Sequence, residues 1–186
     1  MAYRNGIYIA FAAEGQTDPT KSDIKFYNIM KGWKGMASKE FTFVNSHEKV
    51  SAVRDKSKDE TIKASLRERL KNSKCMLLLV GNKTKYDDDF VPYEINYAVD
   101  KCRLPIIVCY VNYSSRISNN IPDSLIKLWP TALKEKIQKE TVKTIHIPFK
   151  EKIILEAINT FDINNQPSYT QTIYKDSLYD KYSIIG

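Results

Sequence analysis

The chain has no GxGxxG, no GxxxxGKS/T and no GxSxG. These absences remove, in turn, the dinucleotide-binding fingerprint, P-loop chemistry and the serine nucleophile elbow. Histidine is nearly missing: His47 and His146 are the only two, far apart in the chain. The three cysteines, Cys75, Cys102 and Cys109, show no CxxC spacing, so no metal site is expected. Their odd number and apolar neighbours point to buried thiols in a reducing compartment rather than a disulfide framework. Long hydrophobic runs are also absent. CMLLLV and IIVCYV are strand-sized, not membrane-sized. The apolar run in MAYRNGIYIAFAAEG is too short for a signal-peptide core. The expectation is a soluble cytoplasmic protein without a membrane partner.

What is present fits a globular chain. At 186 residues it suits one domain. A chain of that size buries about 70% of the surface its unfolded form exposes. Net charge is +7 and the isoelectric point about 9.1, which permits anionic ligands without requiring them. The lysines are spread out, and the densest charged stretch, KVSAVRDKSKDE, mixes both signs. That pattern reads as a solvated surface, not a nucleic-acid site.

Compact apolar runs alternate with helical periodicity. GIYIAFAA (6–13), FTFV (41–44), CMLLLVG (75–81), LPIIVCYV (104–111) and TIHIPF (144–149) read as strands. After the first strand, Asp18-Pro19 has the form of a helix start. Phe26, Met30 and Trp33 follow at helical spacing, with Gly32 and Gly35 closing the segment. Ser57-Lys58-Asp59-Glu60 resembles a capping box, ahead of a stripe of Ile62, Leu66 and Leu70. Pro130 should break the helical pattern in SLIKLWPTALKEKIQKE. KEKIILEAINTF is amphipathic, with Ile154, Ala157, Ile158 and Phe161 on one face. Five strands alternating with helices predict an α/β, flavodoxin-like three-layer fold with a parallel sheet of order 2-1-3-4-5. The expected division is a domain over 1–163 and a polar, Tyr-rich tail over 164–186. Packing along an edge and lack of fixed structure are both compatible with that tail.

In such sheets ligands bind at the carboxyl ends of the strands. The loops AAEGQTD and GNKTKYDDD flank that point, and FVPYEINYAVDKC opens from the second. Asp87, Asp88 and Asp89 are adjacent, so they point in different directions and read as a loop capping the next helix. Ile95, Ala98, Val99 and Cys102 form a core stripe, with Glu94 at its border. With Pro92 as first helical residue, Val91 is the cap and Glu94 the third residue. A glutamate there can serve the helix end, a contribution of about 0.3–1 kcal/mol. The same position, with the helix dipole favouring its ionised form, also suits a carboxylate that stabilises an oxocarbenium-like transition state.

Several segments then appear in register: IAFAAE, FTFVNSHE, IKASLRERLKNSKCMLLLVGNKT and FVPYEINYAVDKCRLPIIVCY. Together they resemble the TIR-like family, in particular the TIR proteins of bacterial Thoeris antiphage defence, over roughly residues 6–161. The resemblance places Phe90 and Glu94 on the family's Trp-x-x-x-Glu motif, with Phe in place of Trp. Where the family's first strand often ends in Ser-aromatic, this chain has Ala10-Phe11, which offers no hydroxyl at that position.

The resemblance implies that NAD is a substrate, not a cofactor, and that Glu94 is the catalytic group cleaving the nicotinamide–ribose bond. It implies substrate-binding roles for Phe11, Ala12, Asn82, Lys83, Phe90 and Tyr93. His47 is either a pocket residue or a loop histidine without a role. It further implies an infection sensor, triggered by a phage component, that makes a cyclic ADP-ribose isomer. This diffusible signal would activate a partner NAD-depleting effector. Family active sites are often composite across subunits, which implies a homo-oligomer. The alternatives are a non-catalytic TIR adaptor acting by association and a nucleoside deoxyribosyltransferase, whose other acidic residues find no match.

Overall fold

The computed structural model describes residues 4–12, 23–36, 43–45 and 56–184. The apolar runs form one sheet from β1 (Gly6–Ala10), β2 (Phe43–Asn45), β3 (Ser73–Val80), β4 (Ile106–Tyr110) and β5 (Thr144–Pro148). The order is 2-1-3-4-5 and every pairing is parallel, as the alternating pattern predicts. A short sixth strand, β6 (Gln171–Thr172), extends the sheet beyond β5.

The helices are α1 (Ile24–Met36), α2 (Lys56–Lys71), α3 (Phe90–Asp100), α4 (Asp123–Ile126), α5 (Thr131–Gln138), α6 (Glu151–Thr160) and α7 (Asp176–Lys181). Pro130 separates α4 from α5, since it cannot donate to a continuing helix. Gly32 and Gly35 do not close α1, which continues to Met36. Ser57 lies inside the first turn of α2, not ahead of it, so the expected capping box is displaced from the helix start. The Asp18-Pro19 helix start lies outside the described residues.

Strands β1, β3, β4 and β5 are buried on both faces, which explains their unbroken apolar runs. Side chains alternate along each strand. Tyr8, Ala10 and Ala12 of β1 and its extension face one core, with Met76, Leu78 and Val80 of β3. Leu66 and Leu70 of α2, Ile95 and Ala98 of α3 and Leu133 of α5 close that core. Ile7, Ile9 and Phe11 face the other, closed by Tyr27 and Met30 of α1 and the Ile154, Ala157 and Ile158 stripe of α6. All three cysteines are free and buried.

The segment after α6 folds back on the sheet. Thr170 O accepts hydrogen bonds from Thr144 N and Thr144 Oγ1, both at 2.8 Å. Tyr179 of α7 is fully buried and donates to Ile117 O at 3.2 Å.

Candidate active site around Glu94

Strand β3 ends at Val80 and the chain turns at once. Gly81 N donates to Thr84 Oγ1 at 2.8 Å, and Thr84 Oγ1 donates to Asp23 Oδ2 at 3.2 Å. Asp23 and Thr84 are both buried. The loop is thereby pinned to the start of α1, and a single 3-10 turn, Thr84–Tyr86, follows. Asn82 and Lys83 stand exposed between the pinned residues. This loop aims the chain into α3.

Helix α3 starts earlier than its sequence suggests. Its first residue is Phe90 and its cap is Asp89, not Val91. Asp89 itself makes no side-chain cap bond; Asp87 Oδ1 accepts from the amides of Asp89 and Val91, both at 3.2 Å. The acidic loop therefore does cap the helix. The earlier start makes Glu94 the fifth residue, past the turn whose free amides a glutamate could serve. The third-position capping role is thus removed.

Glu94 is also not at the border of the core stripe but inside it, 1% exposed among Val91, Ile95 and Ala98. The Tyr8 hydroxyl donates to Glu94 Oε1 at 2.6 Å. Glu94 Oε2 is buried and has no hydrogen-bond partner among the described residues. Burial pushes the carboxyl up to about 8, against the Tyr8 bond, which lowers it; Asp87 adds a smaller upward push. The expectation that the helix end keeps Glu94 ionised is corrected: desolvation outweighs it, and the resting carboxyl is neutral at pH 7.

The structure gathers some predicted residues and separates others. Phe90 and Tyr93 lie half-buried beside Glu94's core. Phe90 and Glu94 are four residues apart, on one side of the helix. The Tyr93 hydroxyl accepts from Arg67 Nη1 at 3.2 Å, and its ring stacks on Tyr97 at 6.2 Å. Ala12 is buried on the Glu94 side of the sheet. Phe11 is on the opposite side, stacked on Tyr27 at 5.5 Å. One residue along a strand reverses the face, so the structure does not bring Phe11 to the face that holds Glu94. His47 lies outside the described residues.

Tyr8, Asp23 and Thr84 escaped sequence reasoning. The strand's alternation does put Tyr8 on the Ala12 face, but nothing local pairs it with a residue 86 positions away. Among the described residues no cluster of His, Cys, Asp or Glu could hold a metal ion, and no helix is long and apolar enough to cross a membrane. A cavity of about 220 Å³ beside β5, α6 and β6 contains none of the predicted residues and no acidic or basic side chain.

Comparison with known families decides the kinship. The family described as "Thoeris protein ThsB, TIR-like domain" matches residues 8–116. The chain belongs to this family. The match begins at Tyr8 and contains Glu94, so both partners of the buried hydrogen bond lie within the ThsB TIR-like region. It is an antiphage defence TIR protein, and the family match ends at Arg116. β5, β6 and α4–α7 all lie beyond it.

Proposed function

We propose that this TIR-like protein cleaves NAD at the nicotinamide–ribose bond in the cytoplasm of infected cells and makes a cyclic ADP-ribose isomer. The observation that carries the reading is the unpartnered Oε2 of buried Glu94. Leaving a buried polar atom unpaired costs about 1–3 kcal/mol, and a catalytic role is one of the reasons a native protein keeps such an atom.

In the reaction the bond's electron pair leaves with the nicotinamide nitrogen, and positive charge develops on the ribose. An ionised Glu94 stabilises that charge and meets the ribose hydroxyls. The nicotinamide of NAD is itself cationic, so its arrival favours ionisation of Glu94 despite burial. Attack by water gives ADP-ribose; attack by a group of the same molecule closes the ring. Asn82 and Lys83, exposed after β3, serve phosphate or ribose, and Phe90 or Tyr93 offers a stacking face. A substrate reaches Glu94 only after its neighbours part, because the carboxyl is 1% exposed. A phage-derived trigger, or assembly of a homo-oligomer, drives that opening. The cyclic product then activates a partner effector that depletes NAD.

One observation favours a second reading, a non-catalytic adaptor. A buried Glu94 bonded to Tyr8 would also serve as a packing pair. Mass spectrometry of lysates from phage-infected cells carrying the wild type or Glu94→Gln separates the two. A cyclic ADP-ribose species present only with the wild type supports the enzyme. Identical nucleotide profiles with intact protection and folded protein overturn it in favour of the adaptor.

A further inference from the structure

Tyr8 and Glu94 form a buried pair built from distant parts of the chain. Tyr8 sits mid-strand in β1, fully buried, and its hydroxyl is 2.6 Å from Oε1. Ala10 and Ala12, the next residues on that face, carry only methyl groups. A phenylalanine would fill the core at position 8 equally well, so the hydroxyl answers to something other than packing. It occupies one carboxyl oxygen and leaves the other unpaired.

We propose that Tyr8 is the positioning residue for Glu94: its hydroxyl locks the carboxyl through Oε1, so that Oε2 is the oxygen presented to the ribose. The proposal rests on the reading of Glu94 as the NAD-facing carboxylate. A donor on Oε1 holds the carboxyl plane in one orientation, which limits the freedom lost on reaching the transition state. It also stabilises the ionised form the reaction needs. Among the described residues, the other charged groups nearby do neither. Asp87, from the loop ahead of α3, opposes ionisation. On α2, Arg67 is bound to Glu60 and Tyr93, and Lys63 lies over the Tyr93 ring.

The test is an infrared titration of the Glu94 carboxyl in protein carrying ¹³C-glutamate, isolated by subtracting the Glu94→Gln spectrum. It needs no substrate and no trigger. In Tyr8→Phe the carboxyl is expected to titrate about one pH unit or more higher. The acid limb of NAD cleavage, measured with lysate of infected cells as the trigger, should move with it, and kcat should fall more than KM rises. Site-specific difluorotyrosine at position 8 keeps the shape and donates more strongly, so it should move the titration the other way. It also serves if Tyr8→Phe folds poorly. A titration that stays in place in both variants overturns the proposal and leaves the Glu94 reading standing. A titration that moves while the cleavage profile does not supports the Tyr8–Glu94 coupling and overturns the assignment of Glu94 to the chemistry.

Discussion

Tyr110 and His146 share a hydrogen bond of 2.8 Å between neighbouring strands β4 and β5, both side chains buried. Counting donors gives the bond its direction. Trp129 Nε1 donates to the Tyr110 hydroxyl at 2.7 Å, and Tyr110 gives its own proton to His146 Nδ1, because the neutral ring carries its one proton on Nε2. Thr144 Oγ1 donates to Thr170 O, so His146 Nε2 donates to Thr144 Oγ1 at 3.0 Å. Each member gives one proton onward, which only the neutral Nε2–H tautomer permits. The chain ties the Trp129 connection between α4 and α5 to the edge leading into β6.

Cutting this chain at its start should cost less than cutting its middle. Trp129→Phe removes one donor from a hydroxyl that keeps its acceptor, a loss of about 1 kcal/mol. His146→Leu leaves two buried hydroxyl groups short of a partner and should cost at least about 2 kcal/mol. Urea unfolding of both variants checks the order. Equal losses would show that the groups do not act as a chain.

Gly81 should resist even alanine. A Cβ there would stand 2.4 Å from Asp23 Oδ1 and 2.9 Å from Oδ2. The carboxylate would have to move, straining its bond with Thr84 and the loop that leads into α3. Gly81→Ala is expected to lower stability by about 1–3 kcal/mol. Asp23→Ala removes the obstacle, so the double variant should lose less than the sum of the single ones. A double-mutant cycle measures that coupling.

Two buried groups should shape stability against pH in opposite ways. Glu94 is raised from 4.5 to about 8, chiefly by burial. Its contribution is full below pH 4.5 and is lost as pH rises to 8, because the folded state holds a proton that the unfolded state releases. His146 is lowered by burial from 6.5 to about 3. Its contribution is full above pH 6.5 and is lost as pH falls to 3. Between 4.5 and 6.5 the two slopes cancel, each being about 1.4 kcal/mol per pH unit. Glu94→Gln should therefore flatten the loss between pH 6.5 and 8, uncover the rise with pH due to His146 between 4.5 and 6.5, and leave the slope below 4.5 unchanged. Thermal melts across this range decide it; an unchanged alkaline slope would mean Glu94 is not held neutral.

The last helix should stabilise the whole chain, through its aromatic core more than its charges. Arg116 Nε donates to Ile184 O at 2.6 Å, and Arg116 Nη2 pairs with Asp180 at 2.7 Å. Asp180 is largely exposed, so that ion pair is worth little. Arg116→Met should cost about 1 kcal/mol, mostly from the carbonyl bond. Tyr179→Ala empties a fully buried site and should cost about 3–5 kcal/mol. Denaturant midpoints compare the two, and a larger loss from Arg116→Met would reverse the ranking.

The motif register from Ile62 to Tyr110 points to the family by residue order alone, and both Phe90 and Glu94 fall in that register. Glu94's surroundings are not legible in the same way. Its cap, neighbours and protonation depend on where α3 begins, and that is decided by Asp87 reaching back to the amides of Asp89 and Val91. The polar tail over 164–186 carries no readable preference, yet β6 pairs with β5 and Tyr179 is buried.

The sequence by itself pointed to the five main strands, the helices between them and the parallel α/β arrangement. Those follow from apolar runs, alternation and helical spacing, which are local properties. Only the tertiary structure decided what meets across the layers: Tyr8 with Glu94, Gly81 with Asp23, Trp129 with Tyr110 and His146. Such pairs join residues far apart in the chain, and their chemistry depends on burial that no local pattern encodes. The same burial turns Glu94 from a carboxylate serving a helix end into a neutral acid with one oxygen unpaired.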